Sequence, residues 1–405
     1  MPASASWTLY DPDPNNVWNR LYRSLYRREG LDGHEYGYDE LEPLLWSGTK
    51  YLLNNPANQQ AITILDEFLS TNAERKIRDP LKRATLQRDL WAIFDWTAEV
   101  PTDTQEKLNL QIKLVQAIKR LALSRDEIAA LPATYKEAVI SKAFATSYDP
   151  NKPEQPFLPA DIFDPNGSWV SLGSREGLLA LAHVDGFSGK SVFLVFMRLP
   201  GGRDATLKYL QKLSEIPNTK LWIPDPRATG VPARVRGNPN VPQFPAGTEL
   251  ALVREMVLID NQGSFRPTNI IESVQIRVHR IVPSEIPQTF SGRTATRAEM
   301  DTFELKLSRS KLFAGESGGL RPVLQGETEF AHFLSHGIDW ESRVSLTACS
   351  SCHFGPGVYS VLSRGGNIVP SSDPNHEANE TKWWKVSRYD WGLLQGLRQA
   401  QPTFK

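Results

Sequence analysis

The chain has 405 residues, 40% hydrophobic and 23% charged, a composition that excludes disordered and collagen-like proteins and fits two or three globular domains. Lys plus Arg and Asp plus Glu both number 46, so no overall charge draws the molecule to nucleic acid or an anionic membrane. The longest strongly apolar stretch, "SVFLVFM" from Ser191 to Met197, suits a buried strand and is too short for a transmembrane segment.

From Asp13 to Ala145 the pattern is helical. Asp and Asn residues at 11 to 16 precede Trp18, Leu21, Tyr22 and Leu25, whose spacing forms one apolar helix face. Similar patterns predict helices over Ala57 to Leu69, Leu81 to Trp96 and Glu106 to Leu123. Ser124 with Glu127 and Thr134 with Glu137 have capping-box spacing and predict two shorter helices. Between Ser147 and Pro165 five prolines interrupt any helical period, which marks a linker or an extended strap.

Past this strap the period changes to that of strands. "SVFLVFMRL" and "ELALVREMVLI" are rich in β-branched and aromatic residues, and Val274 to Ile281 alternates apolar with polar. A helix over Asp204 to Ser214 interrupts them. From Pro287 the chain turns irregular, with a strand at "FELKLS", a short helix near Thr328 to His336 and another in the terminal "DWGLLQGLRQA". The expected fold is an α+β multidomain protein. Its parts are an N-terminal helical bundle (1–147), a central β-rich domain (148–286) and a C-terminal irregular and helical region (287–405).

The chemistry in that last region rests on "LTACSSCHFGPG". Cys349 and Cys352 are the only cysteines, and His353 follows directly. A chance placement of this kind is roughly a one-in-ten-thousand event, and the pair is too few for a disulfide framework. In a C-x-x-C-H turn each thiol can add to one vinyl group of haem, and the adjacent histidine lies beneath the iron.

The motif resembles that of c-type cytochromes, and "HFGPG" resembles the glycine-bearing turn that follows it in many of them. The resemblance implies one haem c, held through thioethers at Cys349 and Cys352 with His353 as proximal iron ligand. It implies one-electron transfer with a redox partner protein, in a periplasmic or other extracytoplasmic setting, although no export signal is visible in "MPASASWTLYDPDPNN". The four methionines all precede the motif, so a downstream methionine ligand is absent. The candidates for a sixth ligand are His336, His376 and His332.

Two alternatives stay open at this stage. A vacant sixth position would give a haem peroxidase or oxidase-like enzyme. Without haem, the two thiols and two of His332, His336, His353 and His376 could bind zinc in a structural or interaction protein, or the thiols could act as a redox dithiol.

Other constellations are weaker. Glu329, His332 and His336 could share a helix face for a metal. Residues 190–240 hold nine Lys or Arg against three acidic residues, enough to steer an acidic partner, though a strand edge or solvated loop accounts for them more simply. Trp383, Trp384 and Trp391 could pack on a porphyrin or on one another. Hydrolase, zincin and dinucleotide motifs are missing. The sequence does not set the oligomeric state.

Overall fold

The first helix forms where the pattern predicts it. In the computed structural model α1 spans Val17–Tyr26, and the Asn16 side chain caps it by accepting the Trp18 N–H at 2.9 Å. The structure describes residues 7–29, 35–39, 56–99, 104–174, 177–224, 235–282, 299–329, 343–344, 346, 353, 355–362, 368–371, 373 and 375–388.

Helices α2 (Ala57–Ser70), α3 (Pro80–Glu99) and α4 (Gln105–Leu121) follow. An amphipathic α3 was the expectation, but residues 84 to 97 are buried on every side. The reason is position: α3 packs on α4 along one flank and on the sheet along another. Its polar residues are therefore matched internally. Gln87, for example, donates to the Ile259 carbonyl at 2.8 Å and accepts the Ile259 N–H at 3.1 Å.

The Ser124–Glu127 capping box opens α5 (Arg125–Ala129) as expected. The one expected at Thr134 does not form. Ala133 occupies the cap position of α6 (Thr134–Ile140), and the Thr134 hydroxyl instead accepts the N–H of Ile271 at 2.8 Å. A strand backbone group in the interior outbids a local cap, because leaving it unpaired costs more.

The proline-rich segment is a strap rather than a free linker. Phe157, Leu158 and Ile162 are almost wholly buried against the sheet, and the Tyr135 hydroxyl ties the strap at Pro159. The sheet comprises β1 (Val170–Ser174), β2 (Ser191–Arg198), β3 (Thr248–Ile259), β4 (Phe265–His279), β5 (Met300–Leu307), β6 (Leu320–Pro322) and β7 (Ile368–Pro370). Its order is β6-β5-β4-β3-β2-β1-β7, antiparallel at every pair. The sheet thus draws strands from both sides of residue 286. The fold is mixed α and β around this seven-stranded antiparallel sheet.

The remaining α-helices among the described residues are α7 (Leu181–Gly186), α8 (Gly202–Ser214), α9 (Arg309–Ala314), α10 (Tyr359–Leu362) and α11 (His376–Arg388). α8 matches the expected helix within two residues. The helix expected from Thr328 is not there at its start: Thr328–Glu329 is a short strand paired with Arg343–Val344, so Glu329 does not lie on a helix face with His332 and His336. Residues 330–342 and the terminal "DWGLLQGLRQA" lie outside the described residues. No described helix is long and apolar enough to cross a membrane.

Period-two alternation gives the sheet two faces. Val274, Ile276 and Val278 of β4 point to the strap and pack with Phe157 and Phe303. Gln275, Arg277 and His279 point to the other face, where α7, α8 and α10 lie. Leu250 and Met197 meet Leu210, Leu213 and Tyr359 there. At one end of the sheet Trp91 stacks on Phe265, centroids 5.3 Å apart, joining the helical layer to the strands in one core.

Candidate functional site

Three of the seven histidines meet on the second face: His183 from α7, His279 at the end of β4 and His353 of the C-x-x-C-H motif. The chain reaches this position through the glycines of "HFGPG". A side-chain carbon on Gly355 would lie 2.6 Å from the Tyr359 carbonyl oxygen. Gly357 is left-handed, φ +53°, and a side chain there would overlap Gln243, whose amide oxygen accepts the Val358 N–H at 2.9 Å. The tight turn they permit leads into α10 and brings Ser360 back to the imidazole.

The carbonyl oxygen of Ser360 lies 2.7 Å from His353 Nδ1. A carbonyl can only accept, so Nδ1 carries the proton, and the neutral ring keeps its lone pair on Nε2. The same carbonyl accepts from Arg277 Nη1 at 3.3 Å, and the Ser360 hydroxyl lies 3.3 Å from His279 Nε2. One buried serine thus joins the motif to β4. The His183 ring lies 6.1 Å from that of His353, with planes only 10° apart.

All three imidazoles are held neutral. Burial, with the Arg277 cation nearby, lowers His353 well below the usual histidine range, despite the Ser360 bond that pulls the other way. Burial, aided by Arg277 and Arg254, lowers His183 to about 4, and burial with Arg277 lowers His279 to about 3. A neutral imidazole has one bare nitrogen suited to metal ligation, and a ligating histidine usually donates its other N–H to a carbonyl, as His353 does to Ser360.

A cavity of about 70 Å³ opens between His183 and His353, floored by Gln275 and Arg277 and walled by apolar side chains such as Leu179, Val195 and Leu252. It is far smaller than the roughly 300–1,000 Å³ of organic-ligand pockets and does not hold a porphyrin. Among the described residues no group of three or more His, Cys, Asp or Glu is placed to hold a metal ion.

Of the residues singled out in sequence, His353 stands at this cluster. Cys349, Cys352, His332 and His336 lie outside the described residues. His376, at the start of α11, lines a separate groove with Ser174, Ser371 and Asp373. The basic excess of residues 190–240 is partly spent inside the fold. Lys190 is fully buried on Asp95 at 2.9 Å, Arg198 pairs with Glu249, and Arg203 donates to the Trp169 carbonyl.

Sequence reasoning missed His183, His279 and Arg277. The alternation of β4 could have placed Arg277 and His279 on one face, but nothing local to "LALAHVDG" points to His183. Comparison with protein-family models, curated proteins and solved structures finds no match to this chain.

Proposed function

We propose that the protein carries one haem c, attached through Cys349 and Cys352, and transfers single electrons to and from a partner protein outside the cytoplasm. His353 is the proximal ligand. The observation that carries this reading is the Nδ1 to Ser360 bond, which leaves Nε2 of a neutral, oriented imidazole as the donor. The haem, when bound, supplies an iron that cycles between ferrous and ferric states. His353 would supply a ligating nitrogen, the Ser360 carbonyl its orientation, and the surrounding burial would keep the imidazole unprotonated.

The donor chemistry of His353 fits iron, whereas the cavity beside His183 does not fit a porphyrin. A haem bound through His353 would therefore have to sit outside that cavity. The test is expression in a host with haem-attachment machinery, followed by intact mass and a visible spectrum. A mass increment of one haem and a Soret band that survives acid-acetone extraction are expected, and His353→Ala should alter the spectrum while the attachment remains. An unmodified mass with no Soret band overturns the reading.

A further inference from the structure

We infer that the cleft between α1 and α2 binds the phosphate group of a small organic molecule through Arg23 and Arg27, at a site that shares no residue with the histidine cluster. The cleft has a volume of about 790 Å³, within the roughly 300–1,000 Å³ of small-molecule pockets. Arg20, Arg23 and Arg27 line it from α1 and its C-terminal cap, and Gln60 and Thr63 line it from α2. Among the described residues no carboxylate lines it.

The spacing of the arginines puts them on one face of α1, opposite the buried Leu21, Tyr22 and Leu25. Like charges so close repel, and two carboxylates at the edges of the cleft offset them only in part. Glu67 of α2 holds both ends of Arg20, with Nη1 at 2.9 Å and Nη2 at 2.8 Å. Glu35 serves the other two: its Oε1 contacts Arg27 Nε and lies 3.4 Å from Arg23 Nη2, while its Oε2 accepts the Trp7 indole N–H at 3.0 Å. Two guanidinium groups thus converge on one oxygen atom. Three cations against two carboxylates leave one positive charge over, and Nη1 and Nη2 of Arg27 have no partner among the described residues.

A planar monocarboxylate matches a single guanidinium fork, whereas a tetrahedral phosphate has oxygens enough for two arginines and carries the larger charge. Phosphate is therefore the better fit. The rest of the cleft suits an organic part with hydroxyl or amino groups. The Ser24 and Thr63 hydroxyls donate to the carbonyls of Leu21 and Gln59, each at 2.8 Å, which leaves their oxygens as acceptors, and Ile64 supplies an apolar patch between them.

The test titrates ADP and pyrophosphate into the full chain by calorimetry, with adenosine and citrate as comparisons. One saturable equivalent of ADP is expected, with pyrophosphate weaker and adenosine and citrate weaker still. Arg23→Gln and Arg27→Gln should each weaken ADP roughly tenfold or more, and Arg27→Lys should also weaken it, because the charge stays but the fork is lost. Glu35→Gln should tighten binding, since it frees both guanidinium groups from a competing carboxylate. Arg75→Gln, at an arginine 83% exposed and outside the cleft, should leave binding unchanged.

Circular dichroism checks that each variant remains folded. Absence of saturable binding by either phosphate probe, citrate binding as tightly as ADP, or an equal loss in Arg75→Gln overturns the assignment. Because no residue of the histidine cluster lines the cleft, none of these results depends on whether haem attaches.

Discussion

The Nδ1 atom of His353 and the carbonyl oxygen of Ser360, seven residues apart, lie 2.7 Å from each other. This contact makes a measurable statement about protonation. In the haem-free chain, nitrogen-15 spectra of the imidazoles at about pH 6 should show His353 neutral, with Nδ1 protonated and Nε2 bare. A proton on Nε2 would contradict the geometry. Gly357→Ala should disturb the same resonance and cost roughly 1–3 kcal/mol, since it places a side chain in a left-handed position against Gln243.

A buried ion pair pins the N-terminal aromatic cluster to α9. Arg309 grips Asp89 with Nε and Nη2 at 2.9 and 2.6 Å, and its guanidinium lies over the rings of Tyr22 and Tyr26. Asp89→Leu or Arg309→Met alone strands the other charge and should cost about 3–5 kcal/mol in urea unfolding. The double variant should lose less than either single change. A double loss equal to the sum of the singles would show that the two charges do not stabilise each other.

Gln87 joins the helices to the sheet through both backbone groups of Ile259. Gln87→Leu removes both partners inside the core, and a loss of roughly 2–4 kcal/mol is expected. Because Trp91 and Phe265 stack across the same boundary, far-ultraviolet dichroism and tryptophan fluorescence should fall in one shared transition. Two separated midpoints would show that helices and sheet unfold independently.

Glu255 sits where the β3–β4 register slips, and burial raises its carboxyl to about 8 from an ordinary 4.5. The folded state therefore binds the proton that the unfolded chain releases. Its contribution to stability is complete below about pH 4.5 and is lost as pH rises toward about 8. His279 has the opposite sign, lowered to about 3, so its contribution is present above the ordinary histidine value and is lost on acidification. Glu255→Gln should raise the melting temperature at about pH 9 and leave it nearly unchanged at about pH 4. An equal shift at both pH values would exclude Glu255 as the titrating group.

Several elements were readable from pattern alone. The helices α1 and α8, the strands β2 and β3 and the Ser124 cap lie where spacing predicts them, because each depends on neighbours within a few residues. α3 was placed correctly and its environment was not, since a helix between two layers loses its solvent face. α11 was missed. Its sequence, "HEANETKWWKVSR", has no clear apolar stripe, and its burial comes from Lys385 reaching Asp95 and Trp384 reaching the α7 region. These contacts span hundreds of residues and leave no local period.

The same division holds for the site. By itself the sequence determined the C-x-x-C-H motif, the glycines that turn the chain after it, and the alternation that splits β4 into an apolar and a polar face. Which polar groups would meet His353 was decided by tertiary structure alone. Packing of α10 on the sheet face sets the Ser360 carbonyl on Arg277, and the packing of α7 delivers His183 from 170 residues away. Burial then sets the chemistry, because an imidazole's charge depends on the dielectric and the cations around it, and neither exists until the chain has folded.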